Sequence, residues 1–457
     1  MLGRLRKVHF IGVGGVGMSG IALLLKGLGF EVSGSDLAES DLTRRLADNG
    51  VRITIGHDAA NCLGAEVVVH STAVASDNPE LACARQHGIP VIRRAEMLAE
   101  LMRLKFSIAV SGSHGKTTVT SLISHLLERA GLDPTTIIGG RVLGSGAGAR
   151  LGQSEYLVAE ADESDRSFLV LYPSIAVVTN IEAEHLDFYK DLADIKREFV
   201  RFVNRVPFYG SVILCADSPA VRSVQRRVKR RVVTYGLEAP ADLRAKDIQQ
   251  YAFSSAFTLA IKGTESGRFS IPMPGLHNVQ NALATIAVAL ELGIELKIAE
   301  QALLTFSGVH RRLERKGEKR GIAVFDDYGH HPTEVRVTVE TLRHAFPGRR
   351  LLVVFEPHRY SRTRHLGREF GDAFNAADVV FVTRIYAASE QPIQGIDAGL
   401  IVEAVRQSGR GGIEVRFLPE FEEVAAEVCA AARPGDVILT LGAGSIWKTG
   451  EEILNAL

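Results

Sequence analysis

Short apolar runs rich in β-branched residues alternate with helical patterns over nearly the whole 457-residue chain. Three examples are KVHFIGV at 7–13, KFSIAVSG at 105–112 and RLLVVFE at 350–356. A strand that is apolar along its whole length is buried on both faces, and an intervening helix lets the next strand run parallel to it. The pattern therefore predicts an α/β protein with mainly parallel sheets covered by helices on both faces.

Three sets of such strands, each opening with its own strand–loop–helix unit, predict three domains, which also suits the length. One boundary is placed near Leu104, after a charged helical stretch, and the other near Ser307, before a basic segment. The expected domains are residues 1–104, 105–307 and 308–457. The segment 251–273 breaks this rhythm, because strand-like runs around Gly263 and Gly267 predict an antiparallel excursion.

Charge and cysteine content exclude several classes of protein. Basic and acidic residues are equal in number, 53 each, so no global basic field points to nucleic acid. The basic run VQRRVKRRVV at 224–233 is expected to be a solvated helix face. Four dispersed cysteines without a C-x-x-C motif favour reduced thiols over a disulfide frame or a zinc site. Without a signal-like or membrane-length apolar run, we expect a cytoplasmic protein with no membrane insertion.

A first glycine-rich loop lies near the start of the chain. Gly12, Gly14 and Gly17 form G-x-G-x-x-G between an apolar run and a helical pattern, and Asp36 follows 19 residues after Gly17. This spacing is typical of a dinucleotide-binding loop, in which a helix N-terminus faces a pyrophosphate. Taken alone, it leaves open an NAD-dependent oxidoreductase.

A second glycine-rich loop is the stronger signal. An apolar strand leads into GSHGKTT at 112–118, and a helical pattern follows. Glycines let backbone N–H groups converge on phosphate oxygens, Lys116 can reach the β- and γ-phosphates, and the Thr117 hydroxyl can bind Mg²⁺. The generic motif has a further glycine where this chain has Val110, so the match is incomplete. The expected nucleotide-binding residues here are Gly112, Ser113, His114, Gly115, Lys116, Thr117 and Thr118.

Two clusters of acidic residues follow later strands of the second domain. Ligands in parallel sheets come from the carboxyl ends of strands, and Mg²⁺ prefers carboxylate oxygens. The two clusters therefore predict a metal site beside the phosphate loop. Their members are Glu160, Asp162, Glu163 and Asp165 in the first, and Glu182, Glu184, His185 and Asp187 in the second.

Six segments in order along the chain together resemble the Mur ligase family. They are SGSHGKTT, EADESD, NIEAEHLD, GLHNVQNALA, DDYGHHPTEV and FEPHRYSRTR. The resemblance extends from about Gly12 to about Gly444 and covers all three expected domains. It implies a Rossmann-like N-terminal domain that holds a UDP-sugar, a central P-loop-type ATPase domain, and a Rossmann-like C-terminal domain that delivers an amino acid.

The resemblance changes the ligand expected at the first glycine loop. With a separate ATP loop in the second domain, the first loop is expected to cradle the diphosphate of the UDP-sugar, with neighbouring polar residues around the uridine or sugar. Close helix–strand packing is an alternative reason for these glycines. The implied UDP-sugar residues are Gly12, Gly14, Gly15, Gly17, Ser35, Asp36, Ser71 and Thr72.

In the ATP site, the resemblance implies that Lys116 binds the terminal phosphates and Thr117 one Mg²⁺. Glu160 and His185 are the implied ligands of a second Mg²⁺, with Mn²⁺ as an alternative metal. Adenine is assigned to Asn278 and Asn281, although Asn278 could instead cap its helix. Arg312 is the implied γ-phosphate arginine, and Asp327 the implied ribose contact.

In the third domain, the resemblance assigns the amino acid and the muramoyl end to Tyr328, His330, Arg359 and Arg362. A guanidinium fork can pair with a carboxylate, which suits the two arginines. His330, or a solvent path, is expected to take the proton of the attacking amine, but it could instead help to cap the next helix. The residues implied to be catalytic are Lys116, Glu160, His185, Arg312 and His330.

The implied reaction is ATP-dependent amide formation between L-alanine and the lactyl carboxylate of UDP-N-acetylmuramate, through an acyl phosphate, in peptidoglycan precursor synthesis. Its partners are small molecules and not nucleic acid, and the expected state is a monomer or a weak homodimer. Three alternatives are kept. They are a ligase that attaches a recycled tripeptide to the same nucleotide sugar, an NAD-dependent oxidoreductase, and a non-catalytic nucleotide switch.

Overall fold

A computed structural model describes residues 5–71, 73–138, 149–186, 188–388, 390–408 and 412–457. The chain divides into two compact units. The first comprises Met1–Asp247, Phe257–Ser270 and Val279–Ser307, and the second comprises Ile248–Ala256, Ile271–Asn278 and Gly308–Leu457. None of the helices in the described part of the chain combines the length and hydropathy needed to cross a bilayer.

The N-terminal part of the first unit is a parallel sheet in the order β3-β2-β1-β4-β5. The carboxyl ends of β1 and β4 meet where the strand order reverses, which is where open α/β sheets bind ligands. Its strands are β1 (Lys7–Ile11), β2 (Glu31–Asp36), β3 (Arg52–Ile55), β4 (Val67–His70) and β5 (Val91–Arg93). Its helices are α1 (Val16–Gly27), α2 (Asp41–Asp48), α3 (Pro79–Gln86) and α4 (Arg94–Arg103).

The second sheet has the order β15-β14-β13-β12-β11-β10-β6-β9-β7-β8 among the described residues. Its central strands pair in parallel and are almost wholly buried, as their continuous apolar sequences predict. The strands are β6 (Phe106–Ser111), β7 (Thr135–Ile137), β8 (Ala149–Arg150), β9 (Tyr156–Glu160), β10 (Ile175–Val178), β11 (Ser211–Cys215), β12 (Arg231–Gly236), β13 (Leu243–Gln250), β14 (Ser255–Ile261) and β15 (Thr264–Ile271). The helices are α5 (Lys116–Arg129), α6 (Leu192–Val203), α7 (Pro219–Gln225), α8 (Leu276–Glu291) and α9 (Leu296–Leu304).

The predicted excursion is a hairpin at the edge of this second sheet. Strands β14 and β15 are joined by Lys262 and Gly263, whose φ angles are +48° and +88°. Two central residues with positive φ are the signature of a type I′ turn, which reverses the chain and matches strand twist. The prediction of a helix face for the basic run is wrong. Helix α7 ends at Gln225, and the run continues as an irregular segment into β12.

The second unit carries a sheet in the order β16-β17-β21-β18-β19-β20. Strands β17 to β21 pair in parallel, and β16 is an antiparallel edge strand. The strands are β16 (Glu314–Lys319), β17 (Ile322–Asp327), β18 (Leu351–Phe355), β19 (Val379–Thr383), β20 (Glu414–Leu418) and β21 (Val437–Leu441). The helices are α10 (Pro332–Ala345), α11 (Tyr360–Leu366), α12 (Phe370–Ala373), α13 (Gly399–Gln407), α14 (Val424–Ala431) and α15 (Ile446–Ala456). The predicted α/β class with mainly parallel sheets is confirmed.

Close packing beneath the first glycine loop generates a stability prediction. A Cβ atom on Gly34, in β2, would lie 2.7 Å from the Cβ of Val13. We expect Gly34→Ala to lower the free energy of unfolding by about 1–3 kcal/mol, because overpacking a filled core forces its neighbours to move. Thermal unfolding followed by circular dichroism measures the loss. Gly15→Ala is the control, because the nearest atom to its added Cβ is 3.6 Å away. Equal effects of the two substitutions would contradict the packing argument.

Candidate nucleotide and substrate sites

The second glycine loop joins β6 to α5 in a shape that only glycine allows. Gly112 has φ +134°, and a Cβ there would lie 2.2 Å from Thr179 Oγ1. Gly115 is the N-cap of α5 with φ +83°, and no side chain caps the first N–H groups of this helix among the described residues. Uncapped N–H groups and the helix dipole form a ready anion site. This geometry suits a phosphate group.

The loop is fixed from the neighbouring strand by two residues that follow β10. The Ser113 and His114 N–H groups donate to Asn180, at 3.1 Å to its carbonyl and 2.8 Å to its Oδ1. Thr179 Oγ1 donates to the His114 carbonyl at 2.6 Å. Neither Thr179 nor Asn180 was predicted from the sequence. The signal available was their position at the carboxyl end of an apolar strand, where ligand-site residues gather.

Lys116 is held by the loop and by a buried carboxylate. Its Nζ lies 2.7 Å from Glu163 Oε1 and donates to the carbonyls of Gly112 and Ser113. Burial opposes the Lys116 charge, but Glu163 and Asp162 outweigh burial and raise the pKa of the ammonium. Burial raises the pKa of Glu163 to about 7, although Lys116 opposes that shift. The loop therefore carries a cation that is already paired inside the protein.

A group able to hold a divalent cation adjoins this ion pair. One ligand atom each from Glu163, Glu184 and His185 lies within 4.8 Å of the others. His185 Nε2 is 3.8 Å from Glu163 Oε1, and the Glu163 Oε2 atom is buried without a hydrogen-bond partner among the described residues. The two carboxylates suit Mg²⁺ or Mn²⁺, whereas an imidazole is a more usual ligand of softer divalent ions. Glu160 ends β9 outside this group, and Thr117 is buried in the first turn of α5.

The predicted adenine residues lie on α8. Asn281 approaches the phosphate loop, since its Oδ1 is 3.0 Å from where a Cβ on Gly115 would be. Asn278 Nδ2 donates to the Pro274 carbonyl at 2.8 Å, which is a local contact at the helix start. The structure therefore brings Asn281 to the phosphate loop within the first unit.

A half-buried aspartate, Asp217, fixes α8 from the side, and it was not predicted from the sequence. Asp217 Oδ2 accepts from Gln280 Nε2 and from the Leu237 N–H, both at 2.7 Å. Its Oδ1 accepts from the Glu238 and Ala239 N–H groups. Gln280 immediately precedes Asn281, so Asp217 links the loop after β12 to the helix turn that carries the predicted adenine contact.

In the first glycine loop, the Asp36 side chain accepts a hydrogen bond from a backbone N–H group of the loop. Its Oδ2 accepts from the Gly14 N–H at 2.7 Å. The Gly12 and Val13 N–H groups donate to the Ser35 carbonyl, and Gly15 caps α1 without a side chain. The N-terminus of α1 is therefore open to an anion, with the Asp36 carboxylate beside it.

Ser35 supports the loop from below. Its side chain is fully buried and donates to Glu80 Oε1 at 2.7 Å. Glu80 also lies 2.6 Å from His9 Nε2 and 2.8 Å from His57 Nδ1. The structure therefore gives the Ser35 side chain a positioning role. Ser71 follows β4 beside Gly12, and Thr72 lies outside the described residues.

Arg94 is a further candidate that the sequence analysis missed. It begins α4, and its Nη1 lies 3.2 Å from where a Cβ on Gly17 would be. A guanidinium at the N-terminus of α1 adds a positive charge to the helix dipole where a diphosphate is expected. The sequence signal that could have identified Arg94 is its position directly after β5, the last strand of this sheet.

In the second unit, Arg312 and Asp327 lie on one connected segment. The Arg312 guanidinium lies 5.0 Å from the Tyr328 ring centroid and 3.9 Å from Glu334. Asp327 accepts from the Leu313 and Gly329 N–H groups at 2.7 and 2.8 Å. Burial raises the pKa of Asp327 to about 6, against the effect of Arg312. Asp327 thus fixes the backbone beside Arg312.

His330 is buried beside the other predicted amino-acid residues. Its Nδ1 lies 3.0 Å from the Tyr328 carbonyl, and burial lowers its pKa well below 6.5. The ring is therefore neutral at pH 7, and with Nδ1–H donating to that carbonyl its Nε2 is an acceptor. His358 lies between His330 and Arg362, with ring centroids 5.4 Å apart and Arg362 Nη1 3.1 Å from its Nδ1. The capping alternative falls on His331, which is the N-cap of α10.

Arg359 stands at the N-cap of α11 with an unusual backbone. Its φ is +74°, and its Nη1 lies 4.0 Å from Glu390. A positive φ is uncommon for a residue with a side chain and is found in turns and at functional sites. His185 in the first unit shares this property, with φ +54°.

The Lys116–Glu163 pair generates the second prediction. We expect Glu163→Gln to lower the free energy of unfolding by about 3–5 kcal/mol, because it leaves a buried ammonium without its counter-charge. ATP should restore part of the loss, because phosphate oxygens replace the carboxylate. The melting temperature with and without Mg-ATP measures both effects. Glu300→Gln, which breaks the exposed Lys297–Glu300 pair, is the matched control. Equal destabilisation by the two variants would refute the assignment.

The Asp217 contacts generate the third prediction. We expect Asp217→Asn to raise the KM for ATP about tenfold and to change kcat by less than about threefold. The substitution replaces one accepting oxygen by an NH2 group, which cannot accept a hydrogen bond from the N–H donors around it. Steady-state kinetics with varied ATP measure both constants. Asp48→Asn, at an exposed position in α2, is the control. A fall in kcat at unchanged KM would contradict a role in holding α8.

Comparison with known proteins accounts for the whole architecture. Three family models match in order: Mur ligase family, catalytic domain, at 7–106; Mur ligase middle domain at 110–289; and Mur ligase, glutamate ligase domain, at 311–444. These matches confirm three domains, while the limits at 104 and 307 stay a prediction.

Full-length relatives agree with the family models. The UDP-N-acetylmuramate–L-alanine ligase of Pelobacter propionicus is 50% identical over 458 residues, covering 100% of this chain and 99% of the relative. That of Sorangium cellulosum is 53% identical over 97% of this chain and 95% of the relative. The solved UDP-N-acetylmuramate-alanine ligase of Thermotoga maritima has a TM-score of 0.83 at 28% identity, and the murein peptide ligase of Psychrobacter arcticus 0.71 at 26%, each covering 98% of both chains. This chain belongs to the Mur ligase family.

Proposed function

We propose that this chain is an ATP-dependent ligase that joins L-alanine to the lactyl carboxylate of UDP-N-acetylmuramate in peptidoglycan precursor synthesis. The observation that carries the proposal is the full-length identity of about half with ligases named for that reaction. The phosphate loop, with its paired Lys116, supports ATP use. The separate glycine loop at the start of α1 supports a second, diphosphate-bearing substrate.

The reaction needs positioning and charge neutralisation more than a protein nucleophile. A carboxylate is a poor electrophile, so transfer of the γ-phosphoryl group of ATP first makes an acyl phosphate. The neutral amine of L-alanine then attacks, and phosphate leaves through a tetrahedral intermediate. Catalysis of this kind rests on aligned substrates and stabilised negative charge.

The first unit supplies the phosphate-binding groups. Lys116 and the N-terminus of α5 would hold the terminal phosphates of ATP, and Asn281 would contact adenine. Bound Mg²⁺ would supply charge neutralisation to the transferring phosphoryl group. We assign Thr117 to one metal ion and extend the expected pair Glu160 and His185 to include Glu163 and Glu184. Mn²⁺ is an alternative ion.

The second unit supplies residues for the amino acid and for charge. Arg312 would stabilise the γ-phosphate, with Asp327 assigned to ribose. Arg359 and Arg362 would pair with substrate carboxylates. His330, neutral at pH 7 and with an accepting Nε2, can take the proton of the amine. We also propose that Asn278 contacts adenine and that Tyr328 lies at the amino acid or muramoyl end. The proposed domain limits are 1–104, 105–307 and 308–457, and the proposed state is a cytoplasmic monomer or weak homodimer.

The direct test of the proposal measures ADP and phosphate release by purified protein with ATP, Mg²⁺, UDP-N-acetylmuramate and L-alanine. We expect release to depend on all four components, and Lys116→Ala to abolish it while circular dichroism stays unchanged. Release of ADP that does not depend on an amino acid would refute the ligase. The tripeptide L-alanyl-γ-D-glutamyl-meso-diaminopimelate, tested in place of L-alanine, distinguishes the recycling reaction.

Arg94 generates the fourth prediction. We expect Arg94→Gln to raise the KM for UDP-N-acetylmuramate by about tenfold or more, because a charge-assisted contact to the diphosphate is lost. The KM for ATP should change little, since Lys116 and α5 are untouched. Initial rates with each substrate varied in turn measure the split. Arg93→Gln removes the preceding, exposed arginine as a control. An equal effect of both variants would exclude a specific role for Arg94.

A further inference from the structure

An exposed patch lies along the edge of the second sheet at which its central parallel strands begin, opposite the phosphate loop. Here this edge means the row of strand N-termini and not an outermost strand. Strands β12, β11, β10 and β6 are adjacent and parallel, so their N-terminal ends meet at this edge, while the phosphate loop follows the carboxyl end of β6. Four large apolar side chains are exposed just before three of these strands. They are Leu104 before β6, Tyr172 before β10, and Phe208 and Tyr209 before β11.

Phe208 and Tyr209 are the most exposed part of this edge. Their exposed fractions are 91% and 68%, and the Gly210 N–H donates to the Pro207 carbonyl to close the turn that presents them. Their rings meet edge to face at 85°, with centroids 5.4 Å apart. A pair this exposed contributes little to the packing of the described residues.

Basic residues surround the aromatic turn. Residues 201–231 contain eight lysines and arginines and a single acidic residue, Asp217, whose carboxylate is already bonded to backbone N–H groups. Arg226, Arg227 and Lys229 are exposed and make no ion pair among the described residues. Among the described residues, two carboxylates pair with cations of this segment: Glu198 with Arg201, and Glu291 with Arg231. An uncompensated positive charge therefore lies beside the aromatic turn.

The turn and the basic segment form one rigid platform. Asn204 accepts from the Lys229 N–H at 2.8 Å and donates to the Arg227 carbonyl at 3.1 Å. The Arg230 guanidinium donates to the carbonyls of Val206 and Asn204. Because these bonds hold the two backbone segments together, the aromatic turn and the basic segment lie side by side.

Tyr172 extends the platform along the edge. The guanidinium of Arg205 lies 4.8 Å from its ring centroid, and that of Arg103 lies 5.2 Å away. We name the whole surface the basic-aromatic edge. It comprises Arg103, Leu104, Tyr172, Arg205, Phe208, Tyr209, Arg226, Arg227 and Lys229.

We propose that the basic-aromatic edge docks this enzyme on the surface of an anionic lipid bilayer. Aromatic and aliphatic side chains enter the headgroup region, and lysine and arginine side chains are drawn to anionic lipids. Both properties meet here, in a chain whose total formal charge is zero. A nucleic acid is less well matched, because stacked bases need parallel ring faces and the two rings stand at 85°.

Docking through this edge leaves the nucleotide site accessible. The edge contains the N-terminal ends of the strands, and the phosphate loop lies beyond a carboxyl end, so a membrane at one would not cover the other within this unit. The contact is peripheral, since none of the described helices could span a bilayer. The proposal is independent of the ligase reaction.

The test is co-sedimentation of the full chain with vesicles of phosphatidylcholine containing 30% phosphatidylglycerol, compared with phosphatidylcholine alone. We expect binding to the anionic vesicles that falls in 0.5 M NaCl. Each cation near a charged surface contributes about fivefold in binding, so the triple variant Arg226→Gln, Arg227→Gln, Lys229→Gln should bind about 100-fold more weakly. Phe208→Ser should weaken binding about tenfold without altering the charge.

The control variant carries the same loss of charge elsewhere. Arg52→Gln, Arg85→Gln and Arg368→Gln together remove three exposed arginines outside the edge and should bind vesicles like the wild type. Ligase activity in all variants reports that each is folded. Four outcomes would each overturn the proposal. The first two are absence of binding to anionic vesicles and equal weakening by the control variant. The others are tighter binding to a single-stranded oligonucleotide at the same salt, and loss of a dimer in the triple variant without vesicle binding.

Discussion

The buried ion pair between Lys116 and Glu163 governs the candidate active site. An ammonium on a phosphate loop must be compensated before any phosphate arrives, and Glu163 compensates it at 2.7 Å. A nucleotide that takes over the lysine would leave Glu163 buried and charged without its cation. The nearest groups able to share a replacement cation with Glu163 are Glu184 and His185. The pairing thus gives a physical reason why nucleotide and metal ion would bind together.

In the first glycine loop too, a carboxylate bonds to a group expected to meet phosphate, but that group is a neutral backbone N–H and not an ammonium. The N–H group of Gly14 is satisfied by the Asp36 carboxylate rather than by a ligand. In each loop a carboxylate already bonds to one group that is expected to meet a phosphate, so internal carboxylates compete with the incoming phosphates. Release of each carboxylate is part of the cost of binding, and Arg94 and the dipole of α1 are the groups that offset it at the first loop.

The fold was predictable from the chain because its information is local. Continuous apolar strands, glycine turns and alternating helices fix parallel sheets, and Lys262-Gly263 fixes the hairpin. The groups that support the site were not predictable, because their partners are far apart in sequence. Asp217 meets Gln280 across 63 positions, and Asn180 meets His114 across 66. The prediction of a helix face for the basic run was wrong, because the charge pattern does not show that the run lies between the end of α7 and the start of β12.

The G-x-G-x-x-G loop illustrates why a motif identifies a geometry before it identifies a ligand. Its turn and helix N-terminus suit any diphosphate, whether in NAD or in a UDP-sugar. In a dinucleotide site, the acidic residue at the end of the second strand accepts from a ribose hydroxyl. Here the Asp36 carboxylate bonds to the loop, and the preceding Ser35 is bonded to the buried Glu80 and so cannot turn outward without breaking that network. The end of β2 thus supports the shape of the loop.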